Sequence, residues 1–133
     1  MDLCTSPLIQ YIAYRALKDG VVQKNLPKSK ELYRMKRDKM LEAINKYFPD
    51  GCRWTKPIGG LFIFAWMPKG IDTKEMIQSC IQKYGVAYIP GQSFFADGSG
   101  SNTMRLNFTY PSMDEIEQGI KNLGEAINQR LNK

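Results

Sequence analysis

The sequence predicts a small α+β domain of largely antiparallel architecture. We expect a sheet of three or four strands with helices packed on one face, preceded by a long interdomain helix. The stretch 61–67 is apolar on both faces, as in a central strand. Helical and strand segments alternate with few clean parallel crossovers. In residues 112–131, apolar residues recur at the spacing of an amphipathic helix. The 133 residues suffice for one domain with a modest core.

The first predicted element is a short helix. Ser6 suits an N-cap and Pro7 the first turn, and apolar residues then recur at helical spacing as far as Leu17. Gly20 fits a left-handed C-terminal cap, so the helix should end there. We interpret residues 21–27 as a connector.

A long helix is predicted over 29–48, because Pro-Asp-Gly follows it. Only its second half looks well buried, and its first half overlaps a basic cluster at 28–39, as in a helix that bridges two domains. A basic face could attract nucleic acid. We favour a solvated face or an acidic neighbour, because no recognised nucleic-acid module accompanies the cluster.

Two strands should follow the long helix. Residues 54–55 begin a strand that a proline interrupts, and 61–67 form the central strand. The aromatic residues Phe62, Phe64 and Trp66 alternate along it. We interpret them as strand core rather than as a platform for stacking bases.

Asp72 and Glu75 resemble a capping box that opens the next helix, and Gly85 should end it. Cys80 lies on the apolar stripe of this helix and is interpreted as a core residue. Residues 86–89 are the next predicted strand.

The predicted strand 103–110 carries one charge, Arg105. Strand alternation places Arg105 with Asn107 and Thr109 on one face and apolar residues on the other. An arginine there needs an anionic partner, and its planar fork of donors matches a carboxylate. From the residues alone, a carboxylate anchor for a small ligand and a surface or salt-bridged arginine both remain open.

The glycine-rich stretch 97–102 precedes this strand. Phosphate cradles need a helix N-terminus directly behind them, and here a strand follows. We therefore interpret the stretch as a flexible surface loop.

Ser112 and Glu115 form a capping box for the last helix. Gly119 and Gly124 weaken this helix by up to about 1 kcal/mol each relative to alanine, and we expect them to permit close approach to the sheet. Three acids near the helix start are interpreted as helix-start charges rather than a catalytic pair: Asp114, Glu115 and Glu117.

Composition excludes several chemistries. The sequence has no histidine, which excludes Ser-His-Asp and Cys-His catalysis within this chain and makes most metal sites improbable. Cys4, Cys52 and Cys80 are few and widely spaced, which suits a reducing cytoplasm. No run approaches the roughly 18 apolar residues of a membrane span, and no apolar segment of a secretory signal follows Met1 and Asp2. We expect a cytoplasmic protein without a metal.

Five segments together resemble class I/II aminotransferases of the pyridoxal phosphate (PLP) fold type I superfamily. Residues 57–64, Pro-Ile-Gly-Gly-Leu-Phe-Ile-Phe, resemble the family's Pro-x-Gly-Gly-Met/Leu-Phe strand. Residues 86–95 resemble its Val-x-x-x-Pro-Gly-x-x-Phe segment, and 104–108 its Leu-Arg-Leu-Asn-Phe strand. Residues 111–120 and the basic 31–40 fit as well. The match is closest to the branch of 2-aminoadipate, kynurenine and aromatic aminotransferases and MocR-type regulators.

The resemblance covers the C-terminal third of such an enzyme. It implies that residues 1–27 are a helix and connector left over from the large-domain junction, and that 28–133 are the small domain, including the linker helix 29–48. It also implies amino-group transfer between an α-amino acid and a 2-oxo acid, with Arg105 binding the substrate α-carboxylate.

The family's PLP lysine, phosphate-binding residues and pyridine-pairing aspartate have no counterpart here. The resemblance thus implies no catalytic or cofactor-binding residue in this chain, PLP only in the complete enzyme, and an inactive fragment. Its implied partners are the missing large domain, a second subunit of a homodimer, and the amino acid or 2-oxo acid substrate. Two alternatives stay open: the effector-sensing domain of a MocR-type regulator, and a stand-alone binding module.

Overall fold

The computed structural model describes residues 5–132, so the statements above on Met1, Asp2 and Cys4 lie outside the described residues. The chain divides into two compact units, Met1–Arg34 and Met35–Lys133. This division falls inside a helix, and the expected boundary at 27/28 stays a prediction. The elements of the described residues are α1 (Pro7–Lys18), α2 (Val21–Tyr47), β1 (Arg53–Trp54), β2 (Phe62–Trp66), α3 (Thr73–Tyr84), β3 (Ile89–Pro90), a 3₁₀ turn (Gly91–Phe94), β4 (Thr103–Asn107) and α4 (Met113–Leu131).

Residues 21–27 are helical, so their interpretation as a connector was wrong. Helix α2 begins at Val21, where the Lys24 amide donates to the Gly20 carbonyl at 3.0 Å, and Pro27 lies inside it. In a helix interior, proline removes one backbone hydrogen bond, and its ring crowds the carbonyl of the residue four positions earlier, here Gln23. The predicted buried second half of the long helix is confirmed by Met40, Ala43 and Ile44.

The four strands of the described chain form one antiparallel sheet in the order β1-β2-β4-β3, which confirms the predicted fold class. Strand β2 lies inside the sheet, as its apolar run predicted. Strand β4 ends earlier than predicted, because the side-chain oxygen of Asn107 accepts from the Thr109 amide at 2.7 Å and turns the chain. Strand β3 is Ile89–Pro90 rather than 86–89.

One face of the sheet is buried and the other is open. The buried face carries Ile63, Ala65, Met104 and Leu106, each at most 4% exposed, while α3 and α4 bury their own apolar stripes. The predicted burial of Cys80 is confirmed, and this burial raises the pKa of its thiol.

The aromatic residues of β2 are not its core, contrary to our interpretation. Phe62 is 38% exposed, and Phe64 and Trp66 are half-buried, all on the face opposite Ile63 and Ala65. Both residue sets of β2 are apolar, so alternation alone could not decide which set would meet the helices.

Local hydrogen bonds explain where α3 and α4 begin. Ser112 and Glu115 form the predicted reciprocal capping box. Asp72 accepts from the amides of Lys74 and Glu75 at 2.8 and 3.1 Å. The Glu75 side chain does not complete a box, because it pairs with Arg130 at 2.6 Å instead.

The glycines of α4 do not approach the sheet, contrary to expectation. A Cβ on Gly124 would overlap the backbone carbonyl oxygen of Tyr47 at the end of α2, whereas a Cβ on Gly119 would meet nothing within 4 Å. Close approach is therefore confined to Gly124, and its partner is a helix.

Glu117 joins α4 to the second half of α2. Its carboxylate pairs with Lys39 and accepts from the Tyr47 hydroxyl at 3.1 Å. The Lys39 hydrogen bond, followed by that of Tyr47, holds the pKa of Glu117 below its ordinary value of 4.5. Glu117 thus links the two helices through its side chain.

We expect Glu117→Gln to lower the free energy of unfolding at neutral pH and to leave it unchanged in acid. A carboxylate whose pKa is lowered by folding stabilises the fold above its unfolded value of 4.5 and loses this effect as pH falls through the folded pKa. Urea unfolding at pH 7 and pH 3 measures the difference. Glu125→Gln, at an exposed position of the same helix, is the control. An equal loss at both pH values would contradict the electrostatic link.

Candidate functional site

The open face of the sheet brings Arg105 beside aromatic residues from two segments, β2 and the 3₁₀ turn. In the antiparallel register, Arg105 lies opposite Phe64 of β2 and opposite Ile89 of β3. Arg105 is half-buried, and together with Phe62, Ile89 and other residues it lines a shallow cleft. The prediction that Arg105 lies on the face opposite the apolar side of β4 is confirmed.

The guanidinium of Arg105 packs against two phenyl rings. Its Cζ lies 4.1 Å from the ring centre of Phe62 and 4.6 Å from that of Phe94. Its Nε is buried without a hydrogen-bond partner, and no ion pair between residues 5 and 132 includes Arg105. The salt-bridged alternative is therefore not formed within this part of the chain.

The 3₁₀ turn after β3 places Phe94. Gly91 begins this turn against the sheet, where a Cβ would overlap the Thr103 hydroxyl and lie 2.9 Å from the Phe64 ring. Only glycine permits this approach, which lets the ring of Phe94 contact Phe64 edge-on with centroids 6.1 Å apart. The sequence reasoning missed the contacts of Phe62 and Phe94 with Arg105. The contact of Phe94 with Arg105 depends on the β3–β4 register, which no local sequence pattern encodes.

The glycine-rich loop 97–102 is exposed over most of its length and leads into β4, as expected. Asn102 donates to the Met67 carbonyl at 2.6 Å, and the Ser101 carbonyl accepts from the Thr73 amide at 2.9 Å. The first turns of α3 and α4 are already occupied by Asp72 and by the capping box of Ser112. Neither of these two helix starts is therefore open to hold a phosphate group beside the loop.

Two cations of the basic cluster have structural contacts. Lys36 donates to the Thr109 carbonyl at 2.8 Å, and Arg37 donates to the Pro57 carbonyl at 3.2 Å. Their carbonyl partners follow β4 and precede β2, so both cations hold segments next to the two strands of the site. These contacts with carbonyl oxygens of the same chain were not predicted, since we favoured a solvated face or an acidic neighbour.

A larger apolar groove lies elsewhere in the second unit. Its lining includes Met40, Leu106, Tyr110, Ile116 and Ile120 and contains no lysine or arginine. An anionic ligand has no counter-charge there, so we place the candidate site at Arg105 despite the smaller size of its cleft.

Within residues 5–132, no group of three or more histidine, cysteine or acidic side chains comes together as metal ligands would. No described helix combines the length and the hydropathy required to cross a bilayer.

Residues 1–123 match the protein family described as aminotransferase class I and II. An uncharacterised aminotransferase of Saccharolobus solfataricus is 54% identical over 131 residues, which are 98% of this chain and 32% of that protein. The crystal structure of Pyrococcus horikoshii kynurenine aminotransferase, in complex with PMP and KYN as substrates and KYA as products, matches with a TM-score of 0.91 at 47% identity. That match covers 98% of this chain and 32% of the solved chain.

A regulator is also similar to this chain. The HTH-type transcriptional regulator NorG of Staphylococcus aureus is 30% identical over 120 residues, which are 90% of this chain and 26% of that protein. The chain thus spans about a third or less of the length of each of these relatives.

Proposed function

This chain belongs to the class I and II aminotransferase family, and we propose that it serves as the C-terminal domain of a PLP-dependent aminotransferase. The predicted resemblance to the family is confirmed by the match over residues 1–123. The fragment status rests on the 32% coverage of its relatives. The proposed reaction transfers an amino group between an α-amino acid and a 2-oxo acid, and the proposed assembly is a cytoplasmic homodimer.

We assign Arg105 to the α-carboxylate of the substrate. The observation that carries this role is its buried Nε without a hydrogen-bond partner, on a guanidinium that has no carboxylate partner within residues 5–132. A partly buried guanidinium without an anionic partner is costly, and a carboxylate bound at its terminal nitrogens would offset that cost. Fixing the carboxylate restricts the orientation of the substrate, which is how a binding residue contributes to rate.

The cofactor belongs to the proposed large domain. When bound, PLP supplies the electron sink that transamination requires. This chain's own contribution is to bind and orient the carboxylate. Binding of the carboxylate does not determine which substrate side chain the enzyme accepts.

The similarity to NorG favours a second candidate, the effector-sensing domain of a MocR-type regulator. The two candidates differ in the coding sequence upstream of this domain, which would encode a winged-helix domain in a regulator.

The proposed function is tested by grafting. Residues 1–133 would replace the matching third of P. horikoshii kynurenine aminotransferase, at 47% identity. We expect the chimaera to bind PLP and to transaminate kynurenine with a 2-oxo acid. A folded chimaera that binds PLP and does not transaminate would contradict the proposal.

The chain alone should bind PLP only as weak adducts scattered over its lysines. A specific lysine adduct needs a lysine of lowered pKa beside a phosphate cradle, and the glycine-rich loop 97–102 is followed by a strand rather than by a helix N-terminus. The measurement is an absorbance titration followed by borohydride reduction and peptide mapping. A single stoichiometric, saturable lysine adduct would show instead that this chain binds the cofactor by itself.

A further inference from the structure

We propose that Phe62 and Phe94 are positioning residues for Arg105, and that together they hold its guanidinium ready for an incoming carboxylate. We call these two rings the phenyl clamp. The inference rests on the proposed carboxylate role of Arg105, and it adds two residues from separate segments to that role.

The contact distances support attraction between the rings and the cation. The Cζ of Arg105 lies 4.1 and 4.6 Å from the two ring centres, well within the range at which the ring quadrupole attracts a guanidinium. Guanidinium stacks on rings through its planar surface, whereas its donors point outward in the plane. Ring contacts therefore stabilise the cation and leave in-plane donors for a carboxylate.

Burial of the Arg105 guanidinium increases its effect on carboxylate binding. The Nε of Arg105 is inaccessible to solvent and has no acceptor, so this edge of the guanidinium lies against the protein. The terminal nitrogens are the donors left for a carboxylate, and a hydrogen bond formed beside an apolar wall is stronger than the same bond in water. A long flexible side chain normally loses conformational freedom on binding, and a side chain already held by two rings has less to lose.

The two rings are placed by independent parts of the fold. Phe62 lies on β2 opposite Asn107, two residues before Phe64, which faces Arg105. Phe94 is carried by the 3₁₀ turn, which Gly91 seats against Thr103 and Phe64. Both rings remain partly exposed, Phe62 at 38% and Phe94 at 48%. Core packing therefore explains neither position fully, whereas contact with Arg105 gives both rings a shared partner.

The neighbouring Phe95 provides a matched control. Its ring packs against Phe64, with centroids 6.2 Å apart, and against Gly100. It has no ring contact with Arg105 among the described residues. Replacing Phe95 by leucine removes apolar volume next to the same turn but leaves both rings of the phenyl clamp in place.

The first experiment observes Arg105 directly in the 133-residue chain. Arginine-selective ¹⁵N labelling gives an Nε–Hε resonance for Arg105, assigned by its absence in Arg105→Lys. We expect a ring-current shift and slow exchange with water. Phe62→Leu and Phe94→Leu should each reduce the shift and accelerate exchange roughly five- to tenfold. Phe94→Tyr should restore both properties, and Phe95→Leu should leave both unchanged.

The second experiment measures function in the chimaeric enzyme described above. Phe94→Leu and Phe62→Leu should raise the KM for both the amino acid and the 2-oxo acid roughly five- to tenfold, with a smaller effect on kcat. Phe94→Tyr should recover the parent KM. Circular dichroism excludes variants that fail to fold. Because the two rings lie on separate segments, the remaining leucine variant still tests the phenyl clamp if one of them does not fold.

The outcomes separate the two proposals. Unchanged Arg105 resonances in both leucine variants would overturn the phenyl clamp, and so would altered resonances without any change in KM. A KM that is insensitive to Arg105→Lys would instead refute the carboxylate role of Arg105, whatever the resonances show.

Discussion

Arg105→Lys in the chimaeric aminotransferase is expected to raise the KM for both substrates and to cost about 2–5 kcal/mol of binding free energy. Lysine keeps the positive charge but loses the planar fork that can hold two carboxylate oxygens at once. The buried Nε of Arg105 shows that water is largely absent from one side of this group. A pair formed there is desolvated, so its loss is not compensated by solvent.

Steady-state kinetics with the amino acid and the 2-oxo acid varied in turn measure this effect. Both substrates carry a carboxylate next to the reacting carbon, so both KM values should rise together. The absorption spectrum of bound PLP should not change. Arg53→Lys, on the exposed residue of β1, is the control for a general loss of an arginine. Parent-like kinetics for Arg105→Lys would exclude its assignment to the carboxylate.

Gly124→Ala is expected to destabilise the chain by about 1–3 kcal/mol, although alanine is the better helix former. The added Cβ would overlap the carbonyl oxygen of Tyr47, a backbone atom that cannot rotate aside as a flexible side chain would. The end of α2 would have to move away from α4, which would also disturb the Tyr47–Glu117 hydrogen bond of 3.1 Å. Urea unfolding of the variant and the parent measures the loss.

Gly119→Ala supplies the matched control on the same helix. A Cβ there meets nothing within 4 Å, so only the helix preference remains and stability should rise by up to about 1 kcal/mol. We therefore expect the two substitutions to change the free energy of unfolding in opposite directions. Equal gains at both positions would show that the approach of α4 to Tyr47 is not constrained by Gly124.

Local sequence signals determined most of the elements. The capping box of Ser112 and Glu115, the N-cap of Asp72 and the left-handed Gly85 each involve residues within a few positions of one another. The apolar run of β2 identified an interior strand, and simple alternation placed Arg105 on the face opposite Leu106. The five family motifs, read together, identified the aminotransferase family.

Tertiary structure alone decided which apolar residues meet. Both faces of β2 are apolar, so only the position of the helices put Ile63 in the core and Phe62 on the open face. Phe94 reaches Arg105 because β3 pairs with β4, and Gly124 packs on Tyr47 because two helices distant in sequence meet. These contacts join segments far apart in sequence, and their energies depend on the assembled surfaces. A residue pattern encodes the local geometry of one segment, whereas the choice of partner requires the fold.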